Sequence, residues 1–437
     1  MLERFPEFYT TDAVHADVMN TKIVQPGNKI VEFLERPYSG DVIGFEWDAS
    51  STSPVLRRID GGGRYITSLP SDYFDKHAIF DRHRCTRDRA TGDITLSNGR
   101  GDGLVLDGTA GDVLVQKPKY YYRYECEYPY YRWWFSAEPH VGFSVWPAFM
   151  QRGDPLNPST ADYLYDGAYE AYGYLDGNTF KLGSASGKTP VTGGVGYPDL
   201  PNSGRLTIDD AETYGNNVTA GAGITNFWNY VGDQLLMYLE FGTFDIQSAL
   251  GKGIVDLPNG VGFAGKLTGA DNIDSRLAEN GTGVGSGTNG QTPVTWRGIE
   301  NPYGNVRKFI IGCNFKAGGI FRTIKRDGTG TLAATLAAGS YEEGTGASLT
   351  SGYVSALLED ELGGLAIMPS AAGGSDSTYL CDYWYPPAGS GDRILLAGGS
   401  WGKGRNAGPG SRYADSAVSH SNRYYGARVE FRPPGGA

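Results

Sequence analysis

Apolar and polar residues alternate along much of this chain with the period of a strand, and two stretches switch to the period of a helix. From residue 112, "DVLVQKPKYYYRYECEYPYYRWWF" sets aromatics against polar residues, as a half-exposed strand or hairpin does. Upstream, "NKIVEFLERP", "VIGFEWDA" and "GDITLSNG" read as short strands broken by "DASSTSPV", "DGGG" and "NGRGDG". The charge-dense "DYFDKHAIFDRHRCTRDRATGD" among them predicts a short helix. In "ITNFWNYVGDQLLMYLEFG", Phe227, Val231, Leu235, Tyr238 and Leu239 recur at three-to-four spacing, and Gly242 supplies a stop. "SGRLTIDDAETYGNN" predicts a second helix: Thr207 stands three residues before Asp210, and Ile208, Ala211 and Tyr214 share one face.

"GKLTGADNIDSRLAENGTGVGSGTNGQTPVT" and "RDGTGTLAATLAAGSYEEGTGASLTSG" have no period and read as long surface loops. No repeat indicates a solenoid or propeller. The pattern predicts an α+β domain over 111–437, preceded by a smaller β-rich domain over 1–110 that is expected to serve attachment.

Composition sharpens this picture. Sixty-five glycines and 29 tyrosines in 437 residues favour many turns and short strands over a helical bundle. A net charge of −11 argues against general affinity for nucleic acid or an anionic membrane. The start, "MLERFPEFYTTDAVHADVM", carries acidic residues where a signal peptide has its basic and apolar regions, and no apolar run reaches membrane-spanning length. No membrane insertion and no general secretory export are therefore expected.

Candidate catalytic chemistry is sparse. No G-x-S-x-G, H-E-x-x-H, P-loop or dinucleotide fingerprint occurs, and the five histidines are His15, His77, His83, His140 and His420. His83 lies near Asp81 and Cys85, a pattern read as structural or solvated rather than catalytic. Cys85, Cys126, Cys313 and Cys381 are far apart, with no C-x-x-C pair, so free thiols are expected and a zinc site is not. Asp271 and Asp274 in "DNID" offer the oxygen ligands calcium takes, but the EF-hand glycine and terminal glutamate are missing. A solvated loop without cofactor is the expectation there. The R-G-D triplets at 100–102 and 152–154 are what abundant glycine produces by coincidence, and the glycosylation acceptor sequences at Asn217 and Asn280 are uninformative where no signal peptide is expected.

Residues 405–428, "RNAGPGSRYADSAVSHSNRYYGAR", contain almost no large aliphatic residue. Tyr, Ser, Gly, Asn and Arg are the residues of antibody-like paratopes, where rigid aromatic rings give contact area and small polar groups adapt.

Three further segments, "YLYDGAYEAY" at 163–172, "TWRGIENPYGNVRKFIIGCNF" at 295–315 and "LCDYWYPPAGSGDRILLAGGSW" at 380–401, resemble the C-type lectin fold of the formylglycine-generating-enzyme kind. The terminal "GGSWGKGRNAGPGSRYADSAVSHSNRYYGARVEF" resembles more narrowly the variable proteins of diversity-generating retroelements, found in phages, archaeal viruses and some bacteria. The resemblance covers 112–437. It implies that Gly398, Gly399, Ser400 and Trp401 form a core strand and turn, that Gly426, Ala427 and Arg428 lead into a closing strand, and that Asn301, Tyr303, Gly304 and Asn305 are scaffold. It also implies a variable region of about 401–428, with ligand contacts from Lys403, Arg405, Ser411, Arg412, Tyr413, Asp415, Ser416, His420, Asn422, Arg423 and Tyr424.

Adenine-directed mutagenesis of AAC or AAT codons never yields Lys, Glu, Gln, Met or Trp, and 405–425 contains none of these, whereas Lys403 departs from that rule. The enzyme branch of the fold carries a redox cysteine pair near its C-terminus, and an aromatic and an acidic residue after "GNV". Here no cysteine follows Cys381, and Arg307 and Lys308 follow "GNV". The expectation is a ligand-binding display protein, not an enzyme, on a virion tail or surface or on a cell surface reached by a non-classical route. Its partner is a cell-surface protein or glycan, as in viral receptor binding. The alternatives are an oxidase or carbohydrate-active tail protein on the same scaffold, or a purely structural virion protein.

Overall fold

The computed structural model describes residues 41–97, 103–151, 159–193, 199–257, 281–285 and 288–433. The strand expected at 28–37, both R-G-D triplets, Asn280 and the Asp271/Asp274 pair lie outside these residues. Strands dominate, and the α+β reading holds. One sheet has five strands, in the order Arg57–Asp60, Ile43–Asp48, Tyr130–Ser136, Tyr121–Glu127 and Ser144–Val145. A second has six: Ala222–Ile224, Val429–Phe431, Tyr163–Gly167, Asp112–Pro118, His83–Arg87 and Ile94–Leu96.

The boundary expected at 110 is corrected by this pairing. Strand His83–Arg87 pairs with Asp112–Pro118, and Ile43–Asp48 pairs with Tyr130–Ser136. The cause is apolar area: Ile43, Phe45 and Trp47 are fully buried, and Phe45 stacks on Trp133 at 4.9 Å. Their inner faces join the same hydrophobic cluster as Trp228, Leu235 and Trp384, so residues 41–97 have no separate core. The charge-dense segment does hold a short helix, Tyr73–Lys76, but its second half is the strand His83–Arg87. Arg82 and Arg84 are buried there because each finds a partner: Arg82 donates to Asp233 at 2.8 Å, and Arg84 to the Gly298 carbonyl at 2.8 Å.

Both helices form where expected. Ile208–Asn216 is capped by Thr207, whose side chain accepts from Asp210 N while the Asp210 carboxylate accepts from Thr207 N. Phe227–Phe241 starts at Asn226, which accepts from Asn229 N at 3.1 Å, and ends at Gly242 with φ 66°. Such a left-handed conformation costs glycine least. Beyond the apolar stripe read from sequence, Tyr230, Gln234 and Tyr238 make a second stripe at four-residue spacing. This stripe meets the C-terminal segment: Tyr230 OH donates to Pro409 O, Gln234 Oε1 accepts from Arg412 at 3.0 Å, and Tyr238 OH donates to Asp382 Oδ2 at 3.3 Å. No described helix is long and apolar enough to cross a membrane.

The largest sheet carries the candidate site. Its order is Tyr341–Gly346, Ile320–Ile324, Arg307–Phe315, Arg393–Ala397, Arg412–Ala417, Tyr383–Tyr385, Gly352–Leu357 and Pro369–Ala372, with Tyr425–Gly426 beside Arg307–Phe315. The stretch 326–352, expected as a loop, thus contributes an edge strand; its alternation is masked by glycines and glutamates.

The four segments singled out in the sequence meet in space. Arg307–Phe315 pairs with Arg393–Ala397, Ala171 N donates to Ala427 O, and Val429–Phe431 pairs with Tyr163–Gly167. Asn301, Tyr303 and Asn305 are fully buried, and the turn after Ala397 is held by Gly304 N to Gly398 O and Trp401 N to Asn305 O.

Candidate functional site

Strand Arg412–Ala417 alternates strictly: Arg412, Ala414 and Ser416 are buried, and Tyr413, Asp415 and Ala417 are half-exposed. Successive side chains of a strand point to opposite faces, so one segment serves the core and the surface at once. Its neighbour Tyr383–Tyr385 runs parallel to it and follows the same rule, with Trp384 in the core and Tyr383 and Tyr385 outside. Gly352–Leu357 pairs with that strand and places Tyr353 opposite Tyr383.

The outer face therefore carries a row of tyrosines from three strands. Ring centroids are 5.2 Å apart for Tyr353 and Tyr383, 4.5 Å for Tyr383 and Tyr385, and 5.1 Å for Tyr385 and Tyr413. These spacings lie within the range of favourable aromatic pairs, which fixes the rings before any ligand arrives. Asn406 ties two hydroxyls together: it accepts from Tyr353 OH at 2.7 Å and donates to Tyr385 OH at 3.3 Å. Two cations flank the row, Lys403 with Nζ 5.3 Å from the Tyr385 centroid, and Arg307 with Cζ 4.3 Å from that of Tyr413. Burial pushes the Tyr413 hydroxyl up to about 12, so it remains a neutral donor and acceptor at ordinary pH.

A second corner of the surface forms around Tyr424, whose ring lies 4.6 Å from that of Trp401 and whose hydroxyl accepts from Arg423 at 3.1 Å. Asn422, Arg423 and His420 are exposed beside it.

The structure divides the residues expected to touch a ligand. Lys403, Tyr413, Asp415, His420, Asn422, Arg423 and Tyr424 are at least partly exposed. Ser411, Arg412 and Ser416 are corrected, because each faces inward. Arg412 donates to Ile367 O and Gln234 Oε1, both at 3.0 Å, and Ser416 Oγ lies 3.0 Å from Tyr425 OH. Arg405 is half-buried and already occupied: it donates to Asp245 at 2.9 Å and to the Asp376 carbonyl, anchoring the turn Gly404–Asn406. The sequence reading missed Tyr353, Tyr383, Tyr385 and Asn406. The Y-W-Y alternation at 383–385 was the available signal for two of them.

Below this face, Asp382 is 5% exposed and accepts from Gly410 N at 2.7 Å. Burial pushes its carboxyl up to about 8. The chain passes so close that a Cβ at Gly408 would sit 1.7 Å from Asp382 Oδ1. Gly408 also has φ 150°, so glycine is required there on two counts.

All four cysteines are free. Burial pushes the thiols of Cys85 and Cys313 up to about 12, away from the thiolate a nucleophile needs. Among the described residues, no group of three or more His, Cys, Asp or Glu could hold a metal ion.

No family model matches the chain, and no curated protein does. Among solved structures, the chain is similar to one named Major Tropism Determinant U1 Variant, at 12% identity and a TM-score of 0.26, over 93% of this chain and 88% of that one. It is also similar to Major Tropism Determinant P3c Variant, at 13% identity and a TM-score of 0.24, over 88% of this chain and 84% of that one. At that depth neither likeness bears on fold or function.

Proposed function

We propose that this protein is a non-enzymatic binding protein that presents the face around Tyr353, Tyr383, Tyr385 and Tyr413 to a protein or glycan on a host or partner cell, from a virion tail or surface or from a cell surface. The observation that carries this reading is the tyrosine row itself. Four rings preset by mutual contact, with cations at their edge, give large contact area at small entropic cost. Tyr and Arg are also the residues that dominate interface hot spots. A C-type lectin fold of the formylglycine-generating-enzyme kind is the scaffold we assign, supported by the meeting in space of the segments that resemble it. Within it, the surface residues of 401–428 are the variable contacts, and Tyr353, Tyr383 and Tyr385 their constant neighbours.

The test is binding of the labelled full chain to arrays of cell-surface proteins and glycans, with Tyr385→Ala and Tyr413→Ala combined as the control. A discrete set of ligands for the original protein, lost in the double variant, is expected. No ligand at all, or equal binding by the double variant, overturns the reading.

A further inference from the structure

Arg307 and Lys308 stand side by side at the start of strand Arg307–Phe315, and both side chains are buried. Lys308 is conventionally satisfied: it pairs with Glu170 at 2.7 Å and donates to the Gly304 carbonyl at 2.9 Å. The Arg307 guanidinium is not. At 6% exposure it has no carboxylate or carbonyl acceptor among the described residues, and Nη2 is sealed from solvent without a partner. It lies over the faces of Tyr413 at 4.3 Å and Tyr385 at 5.5 Å.

Other deeply buried arginines are treated differently. Arg297 pairs with Glu240 at 2.6 Å, Arg412 donates to Gln234 and Ile367, and Arg428 donates to the Gly167 carbonyl at 2.7 Å. Arg87 Nε also lacks an acceptor among the described residues, but its guanidinium stacks on Phe431, away from the tyrosine row. A guanidinium has five donors and cannot lose its charge, and ring faces compensate a desolvated cation only in part.

We infer that Arg307 is the anion anchor of this face, receiving the carboxylate of an aspartate or glutamate from a protein partner beside Tyr385 and Tyr413. This inference rests on the binding reading above. A carboxylate takes a charge-assisted hydrogen bond from a guanidinium donor, and the two rings flank the approach. A protein is favoured over an acidic sugar because the row lies across the outer face of a sheet, spread over three strands, with the Tyr and Arg composition of protein hot spots. Lys403, with Nζ 5.3 Å from the Tyr385 centroid, adds to the positive potential.

The experiment is panning of a random-peptide display library on the full chain. It is repeated on Arg307→Met, on Arg307→Lys, and on the combined Tyr385→Ala and Tyr413→Ala variant, each verified as folded by its melting curve. Peptides enriched on the original protein are expected to carry Asp or Glu. Changing that residue to Asn or Gln in the synthetic peptide should weaken binding about tenfold or more, the order of a charge-assisted hydrogen bond. The same change should have no effect on Arg307→Met, and Arg307→Lys should fall between.

Enriched peptides that need the tyrosines but bind as well in amide form leave the binding reading standing and overturn the anchor. Acidic glycans captured on an array while no peptide is enriched overturn the protein partner in favour of a sugar acid. Failure to enrich or capture anything overturns both.

Discussion

Replacing Asp382 by asparagine removes one proton-binding site beneath the candidate face while leaving the side-chain shape nearly unchanged. Buried against Tyr238 and the Gly408–Gly410 turn, the carboxyl is pushed up to about 8 from its ordinary 3.8. A carboxyl whose folded value is raised binds its proton more tightly in the native state. Its stabilising contribution is therefore complete below the unfolded value and is lost as pH rises through the folded one. Inside that window the loss runs at about 1.4 kcal/mol per pH unit. Between pH 5 and pH 8 the original protein should thus lose roughly 4 kcal/mol more than Asp382→Asn, and at pH 8 the variant should be the more stable of the two. Urea unfolding at several pH values, followed by tryptophan fluorescence, measures both slopes. Parallel pH profiles for the two proteins would refute the argument, because they would mean that Asp382 titrates as an ordinary exposed carboxylate.

The remaining expectations concern neighbouring features. Gly408→Ala places a Cβ against the Asp382 carboxylate at a backbone angle alanine avoids, and should cost about 2 kcal/mol or more, read as a lower melting temperature. Ser416→Asn overpacks a fully buried position and should lower stability by about 1–3 kcal/mol without changing ligand affinity per folded molecule. Tyr413→Ser, on the other face of the same strand, should do the reverse, weakening ligand binding by about 1–2 kcal/mol at nearly constant melting temperature. A disulfide reagent applied to the native protein at pH 8 should spare Cys85 and Cys313, and mass spectrometry showing rapid modification of either would contradict their burial. Sequencing of the DNA beside the gene should reveal a reverse transcriptase and a near-copy of the 3′ coding end that differs mainly at adenines. Absence of both leaves 401–428 a fixed surface.

Local signals carried the elements whose stabilising contacts are local. The capping pair Thr207 and Asp210, and the stop at Gly242, act within one turn of chain, so both helices were legible. The division at 110 was not, because it depended on where Phe45 and Trp47 find cover, and that cover comes from Trp133 and Tyr131 more than 80 residues on. The strand His83–Arg87 was hidden by Arg84 within it and Arg82 just before it, which look solvated until the Gly298 carbonyl and Asp233 are brought to them. In the candidate site, Tyr413 was legible from its polar, tyrosine-rich surroundings. Tyr353 was not, since a cross-strand neighbour leaves no trace in spacing. Ser411, Arg412 and Ser416 were misplaced for a different reason: a polar run was read as one surface, although a strand presents two.

That strand also constrains how this chain can diverge. Along Arg412–Ala417, adjacent codons govern different properties: a change at 413 or 415 alters what the outer face meets, and a change at 412, 414 or 416 alters the packing that keeps the sheet intact. Recognition and foldability are interleaved residue by residue rather than assigned to separate regions. New specificities are then reached most readily through single substitutions spaced two apart, while a block replacement of the whole segment exposes the fold to the same shuffle as the surface.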